Sequence, residues 1–165
     1  MKRDRDSQRA KFWNAMGILK EHDRKLDSDE VDRQVKRFCA NAFLARRYPD
    51  LADDPLAVRH GGRKESGRYF IQVNKPGCTA SELVYLLARV LFNRKDTGKP
   101  AWYGWEFAEQ YLDATRVIMG KGVHDLLQAR FKALRVRYAP KVKRTVTPEM
   151  LERLAEARAK RSSAG

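Results

Sequence analysis

Apolar residues recur at helical spacing through most of this chain, and the places where that spacing breaks divide it into elements. Phe12, Met16 and Leu19 predict a helix over residues 4–22. Asp27-Ser28-Asp29-Glu30 is an acidic start suited to a helix N-terminus. Val31, Val35, Phe38, Ala42 and Phe43 carry that second helix on until Pro49 ends it near Tyr48, and residues 50–55 read as a loop. The period then changes to two. Residues 56–60 (LAVRH) and 69–73 (YFIQV) are strand-like runs on either side of GGRKESG, which predicts an antiparallel hairpin with a long, exposed, basic turn. A phosphate-gripping loop is the second reading of that turn, although GGRK lacks the spacing of a P-loop.

A third helix starts after Thr79, which can cap it, and shows Leu83, Leu86, Leu87, Val90 and Leu91 on its buried side. Residues 93–102 form a loop broken by Gly98 and Pro100. Phe107, Tyr111, Ala114 and Ile118 point inward from a helix that stops at Met119-Gly120, and Val123, Leu127, Phe131, Leu134 and Tyr138 mark another. Beyond Pro140 the run KVKRTV reads as extended, and Thr147-Pro148-Glu149 opens a last short helix. The expectation is one α+β domain over residues 1–140, with a small antiparallel sheet, a central helix and flanking helices. A basic C-terminal extension over residues 141–165 follows it.

Composition narrows the classes. A chain of 165 residues with 42% hydrophobic content can build one proper core. No apolar run approaches the roughly 18–20 residues of a membrane span, and the start, MKRDRDSQRAKFW, has no uninterrupted apolar stretch of the signal-peptide kind. Cys39 and Cys78 form no CxxC pair, and Cys39 lies in an apolar helical pattern where a buried free thiol is expected. Together these features predict a cytoplasmic protein without a membrane partner. His22, His60 and His124 show no ligand spacing, so neither a bound metal nor another cofactor is expected.

Charge changes the picture more. There are 35 Lys and Arg against 21 Asp and Glu, a net +14, and residues 116–165 hold 13 of those bases but only 4 acids, which is +9. Arg130, Lys132, Arg135 and Arg137 flank an apolar stripe, and Lys141, Lys143 and Arg144 extend the strip. Phosphate contacts need only such charges on a surface, so nucleic acid or a nucleoprotein is the expected partner. An acidic protein partner would be met by the same strip, and a merely solvated helix face is the plain alternative.

The third helix contains Glu82-Leu83-Val84-Tyr85-Leu86-Leu87-Ala88-Arg89-Val90-Leu91. It resembles the active-site helix of zinc peptidases that read E-L-x-H-E-x-A-H-x-L, in which two His bind zinc and the Glu between them activates water. Pro100-Ala101-Trp102-Tyr103-Gly104-Trp105-Glu106-Phe107 resembles the P-x-H-G-x-x-F segment that supplies the third His in such families. The opening RDSQRAKFW and the VIMG that ends a later helix are similar to small metallohydrolases of actinobacteria and their phages, so the likeness runs from residue 4 to about residue 138. The resemblance implies a zincin-like central helix whose metal-site positions are Tyr85, Leu86, Arg89 and Tyr103 in this chain.

Those replacements remove the hydrolytic chemistry that the family would carry. A phenol with an ordinary pKa of about 10 is a poor lone anchor for zinc. Arg89 is a permanent cation, and Leu86 cannot move a proton. The expectation is a non-catalytic, pseudoenzyme-like protein in which Tyr85, Arg89 and Tyr103 fill the former metal pocket, covered by Trp102 or Trp105. The alternatives are an enzyme with a non-zinc mechanism at Tyr85, Arg89, Tyr103 and Glu106, and a phage protein that meets an acidic host or assembly protein.

Overall fold

The computed structural model describes residues 3–94 and 103–140, with side chains from residue 7 onward. Trp102, the basic residues Lys141, Lys143 and Arg144, the extended run after Pro140 and the final helix lie outside the described residues. The fold is α+β, as the hydrophobic pattern predicts.

Helix α1 spans Arg3–Met16 and passes at Gly17 into a 3₁₀ segment, Gly17–His22, so the first predicted helix is two pieces. Strand β1, Lys25–Leu26, is short. Helix α2, Ser28–Cys39, starts where its acidic residues foretold, with the Asp27 carboxylate accepting from the Glu30 backbone N–H. It does not run on to Pro49. Asn41 caps a separate helix α3, Ala42–Arg47, by accepting from the Phe43 and Leu44 backbone N–H groups at 3.1 and 3.2 Å. An asparagine that bonds forward in this way ends one helix and begins the next. A single further turn, α4 at Asp50–Asp53, occupies the expected loop.

The strand-like runs correct a second expectation. Strand β2, Ala57–His60, pairs with β4, Phe70–Val73, in parallel and not as an antiparallel hairpin. The tight antiparallel partner of β4 is β3, Glu65–Ser66, taken from inside the predicted turn, so the mixed sheet has the order β2-β4-β3. Because β3 turns back directly onto one edge of β4, β2 is left to join the other edge. A second sheet pairs β1 with β5, Cys78–Thr79, antiparallel. Gly77 makes that pairing possible: its φ is +102°, and a Cβ there would sit 1.9 Å from the Leu26 carbonyl oxygen.

Helix α5, Ala80–Arg94, is the centre of the domain, packed along α6, Trp105–Ile118, with both sheets against it. Leu83, Leu86, Leu87, Val90 and Leu91 are all buried, as predicted. Arg94, at the end of α5, is also buried and donates to the backbone carbonyls of Arg68, Asp50 and Asp54, tying the mixed sheet and α4 to the helix. Helix α7, Lys121–Ala133, completes the core against α1 and α6. Phe12 of α1 is fully buried where these helices meet, with ring centroids 5.5, 5.3 and 5.6 Å from Phe107, Tyr111 and Phe131. No helix among the described residues is long and apolar enough to cross a membrane.

Candidate functional site

The first turn of α5 is fastened before it presents any chemistry. Thr79 and Glu82 form a reciprocal capping box: the Glu82 carboxylate accepts from the Thr79 N–H at 2.9 Å, and the Thr79 hydroxyl accepts from the Glu82 N–H at 3.3 Å. Asp23 accepts from both the backbone N–H and the hydroxyl of Ser81. Burial alone would raise both carboxyls, but the Ser81 and Thr79 bonds to Asp23 outweigh it, as the Lys64 ion pair and the Thr79 N–H do for Glu82. Each is held below its ordinary value.

Nearly every side of α5 is buried, and Glu82, Tyr85 and Arg89, at i, i+3 and i+7, form its half-buried polar edge. Tyr103 comes to this edge from the residue pair before α6, with φ at +63°, a left-handed conformation uncommon for a tyrosine. The Tyr85 and Tyr103 hydroxyl oxygens are 3.3 Å apart. The Arg89 guanidinium lies 5.8 Å from the Tyr85 ring centroid. Burial, with the Tyr103 hydroxyl next, pushes the Tyr85 phenol up to about 12, against the opposing pull of Arg89. Tyr85 is therefore a neutral phenol across the physiological range, unsuited to serve as a phenolate ligand, base or nucleophile.

Three of the four positions singled out in the sequence thus meet at one place, and Leu86 lines the cavity beside them. Glu106 is not bonded to any of them among the described residues. It sits in the first turn of α6 and takes part in none of the hydrogen bonds or ion pairs found among the described residues. Of the two tryptophans expected over the tyrosines, Trp102 lies outside the described residues and Trp105 makes no ring contact with Tyr85 or Tyr103. Among the described residues it is Trp13 of α1 that covers them, its ring centroid 5.8 Å from both Tyr85 and Tyr103, while Arg9 stacks 5.3 Å over Tyr103 from one turn earlier. Sequence reasoning missed Trp13 and Arg9, although they share one flank of the Phe12, Met16 and Leu19 stripe. The cavity measures about 520 Å³ and is bounded by α1, the 3₁₀ segment and α5.

Among the described residues lining this site the one carboxylate is Glu82, and there is no imidazole or thiolate to join it as a metal ligand. Among the described residues no group of three or more His, Cys, Asp or Glu is placed to ligate one. His60 bonds to Asp32 at 2.9 Å and His124 to Asp125 at 2.8 Å, each far along the chain from α5. The thiols are free, and it is Cys78 that is buried, its thiol pushed up to about 11 by that burial, whereas Cys39 is only half-buried.

The second candidate is the basic strip. Arg130 and Lys132 lie in the last turn of α7, where a cation also complements the helix dipole. The helix ends at Ala133, short of the predicted Leu134 and Tyr138, because Arg135 turns left-handed with φ at +55°. The Val136 N–H then reaches the Phe131 carbonyl at 2.8 Å and the Arg135 N–H reaches that of Lys132 at 3.1 Å, the paired bonds of a Schellman turn. Arg130, Lys132, Arg135 and Arg137 are all exposed, and none is ion-paired among the described residues. Gln8 of α1 fixes the end of the strip, its amide donating to the Arg137 carbonyl at 3.0 Å and accepting from the Arg137 N–H at 3.3 Å.

No family model, curated protein or solved structure matches the chain.

Proposed function

We propose that this chain is a non-catalytic, metallohydrolase-like protein of the cytoplasm that acts by binding, with nucleic acid or a nucleoprotein surface as its partner. The strip Arg130, Lys132, Arg135 and Arg137 makes the contact, continued in sequence by Lys141, Lys143 and Arg144. One observation carries the reading. These four cations stand exposed and carry no ion pair among the described residues, whereas Arg24, Arg47 and Lys64 elsewhere are committed to Glu30, Glu109 with Asp113, and Glu82. Unpaired surface cations keep their full attraction for phosphates and release counterions on contact.

The metallohydrolase part of the reading rests on the sequence resemblance and on the meeting of Tyr85, Arg89 and Tyr103 at one edge of α5. An enzymatic reading of the same residues is weaker, since Tyr85 is neutral and Glu106 makes no hydrogen bond or ion pair with them among the described residues. The test is an electrophoretic shift with single- and double-stranded oligonucleotides. Reversing the four charges to Glu should abolish the shift and leave the thermal midpoint close to that of the parent. An unchanged shift would contradict the proposal. A parent that gives no shift, but is captured by an acidic polypeptide such as polyglutamate in a way the four-charge variant loses, would assign the chain to a protein partner instead.

A further inference from the structure

The cavity beside Tyr85 has walls of two kinds. Trp13, Met16, Leu19 and Leu86 give it an apolar floor and side, and the charged groups around it are Lys20, Lys64, Arg89 and Glu82. Lys64 and Glu82 neutralise each other, and Glu82 is further occupied in capping α5. Lys20 is exposed and carries no ion pair among the described residues. Asp23, which accepts from the lining residue Ser81, is a second carboxylate beside them, so among the described residues three cations meet two carboxylates and the mouth keeps a positive excess at Lys20 and Arg89. Its volume of about 520 Å³ falls within the roughly 300–1,000 Å³ typical of small-molecule sites.

Trp13 is 44% exposed, an unusual position for a side chain with so much apolar surface, and it is not loose. Its ring is held against Tyr85 and Tyr103, and its neighbour Phe12 is locked in the core. A shelf immobilised before binding loses little further freedom when a ligand covers it. An apolar body laid on Trp13, Met16 and Leu86 with a negative group at Lys20 would satisfy both kinds of wall at once. We propose that this cavity is a binding site for an amphipathic organic anion, a carboxylate or sulfonate carried on an apolar body. The assignment is independent of the basic strip, which lies on α7 and the segment that follows it.

Gly17 supplies a clean test, because it lines the cavity and a Cβ added there meets nothing within 4 Å. Gly17→Trp should fill the space without displacing the core. Anilinonaphthalene sulfonate fluorescence and calorimetry with decanoate read the binding, with decanol and inorganic sulfate as controls. The expected result is that one or both organic anions bind at the cavity, that decanol binds at least about tenfold more weakly, and that sulfate alone does not bind. Gly17→Trp should eliminate binding, and Lys20→Glu, an exposed change that cannot disturb packing, should weaken it about tenfold. The four-charge strip variant should bind as the parent does, which separates this site from the nucleic-acid surface. Failure of both anions to bind, equal binding of decanol, or binding that survives Gly17→Trp would each overturn the assignment.

Discussion

Arg135 occupies a position at which glycine would be favoured. A left-handed C-terminal residue costs an L side chain roughly 1 kcal/mol relative to glycine, yet the chain keeps an arginine there, with φ at +55° and its side chain exposed. Val136 is buried beside the turn and completes it, so the turn itself gains nothing from the guanidinium. Arg135→Gly is therefore expected to move two properties in opposite directions. Thermal unfolding should show a gain of up to about 1 kcal/mol, while oligonucleotide affinity falls and its salt dependence loses about one charge. A variant that is more stable and binds equally well would remove Arg135 from the proposed contact. Tyr103, also left-handed, was singled out in the sequence from its place in a motif, but nothing in composition could reveal its backbone conformation.

At the scale of elements, legibility followed periodicity. Helices α5 and α6 show long stripes such as Leu83, Leu87 and Leu91 or Phe107, Tyr111 and Ala114, which fix both the element and its buried side. The break between α2 and α3 was hidden, because Ala42 and Phe43 stay in helical phase while one side chain, Asn41, resets the backbone. In the mixed sheet, alternation identified β2 and β4 but is silent on direction, and β3 was masked by the polar residues Glu65 and Ser66. The capping box at Thr79 and Glu82 yields a pH prediction. Glu82 is held below its ordinary 4.5, so its contribution to stability is fully present above that value and is lost as pH falls through its folded pKa. Asp113, raised above 3.8 by burial despite its bonds with Tyr48 and Arg47, acts in the opposite sense, so a wild-type pH profile alone cannot isolate Glu82. The comparison needed is Glu82→Gln against wild type. The wild type should melt higher at neutral pH, and the difference should shrink as pH drops below about 4.5. A difference that persists undiminished in acid would show that the Glu82 charge contributes nothing.

At the scale of the whole molecule, α1 links the two candidate sites. Gln8 holds the end of the basic strip, and one residue later Arg9 begins the face that covers Tyr103 and the cavity. The strip was legible because charge is countable, and so was the meeting of Tyr85, Arg89 and Tyr103. Trp13 as the cover of the tyrosines was not, because it comes from a helix some seventy residues earlier in the chain, a distance that local spacing does not span. The central claim, binding of a phosphate backbone through Arg130, Lys132, Arg135 and Arg137, is tested most directly by the salt dependence of affinity. Fluorescence anisotropy on a labelled oligonucleotide duplex, titrated over a range of salt concentrations, gives the slope of log K against log salt. Four phosphate contacts predict a slope of about −3.6, steeper by whatever Lys141, Lys143 and Arg144 add, and a loss of about 3.6 from that slope when the four charges are removed. A slope that stays the same when those residues are replaced would contradict the account.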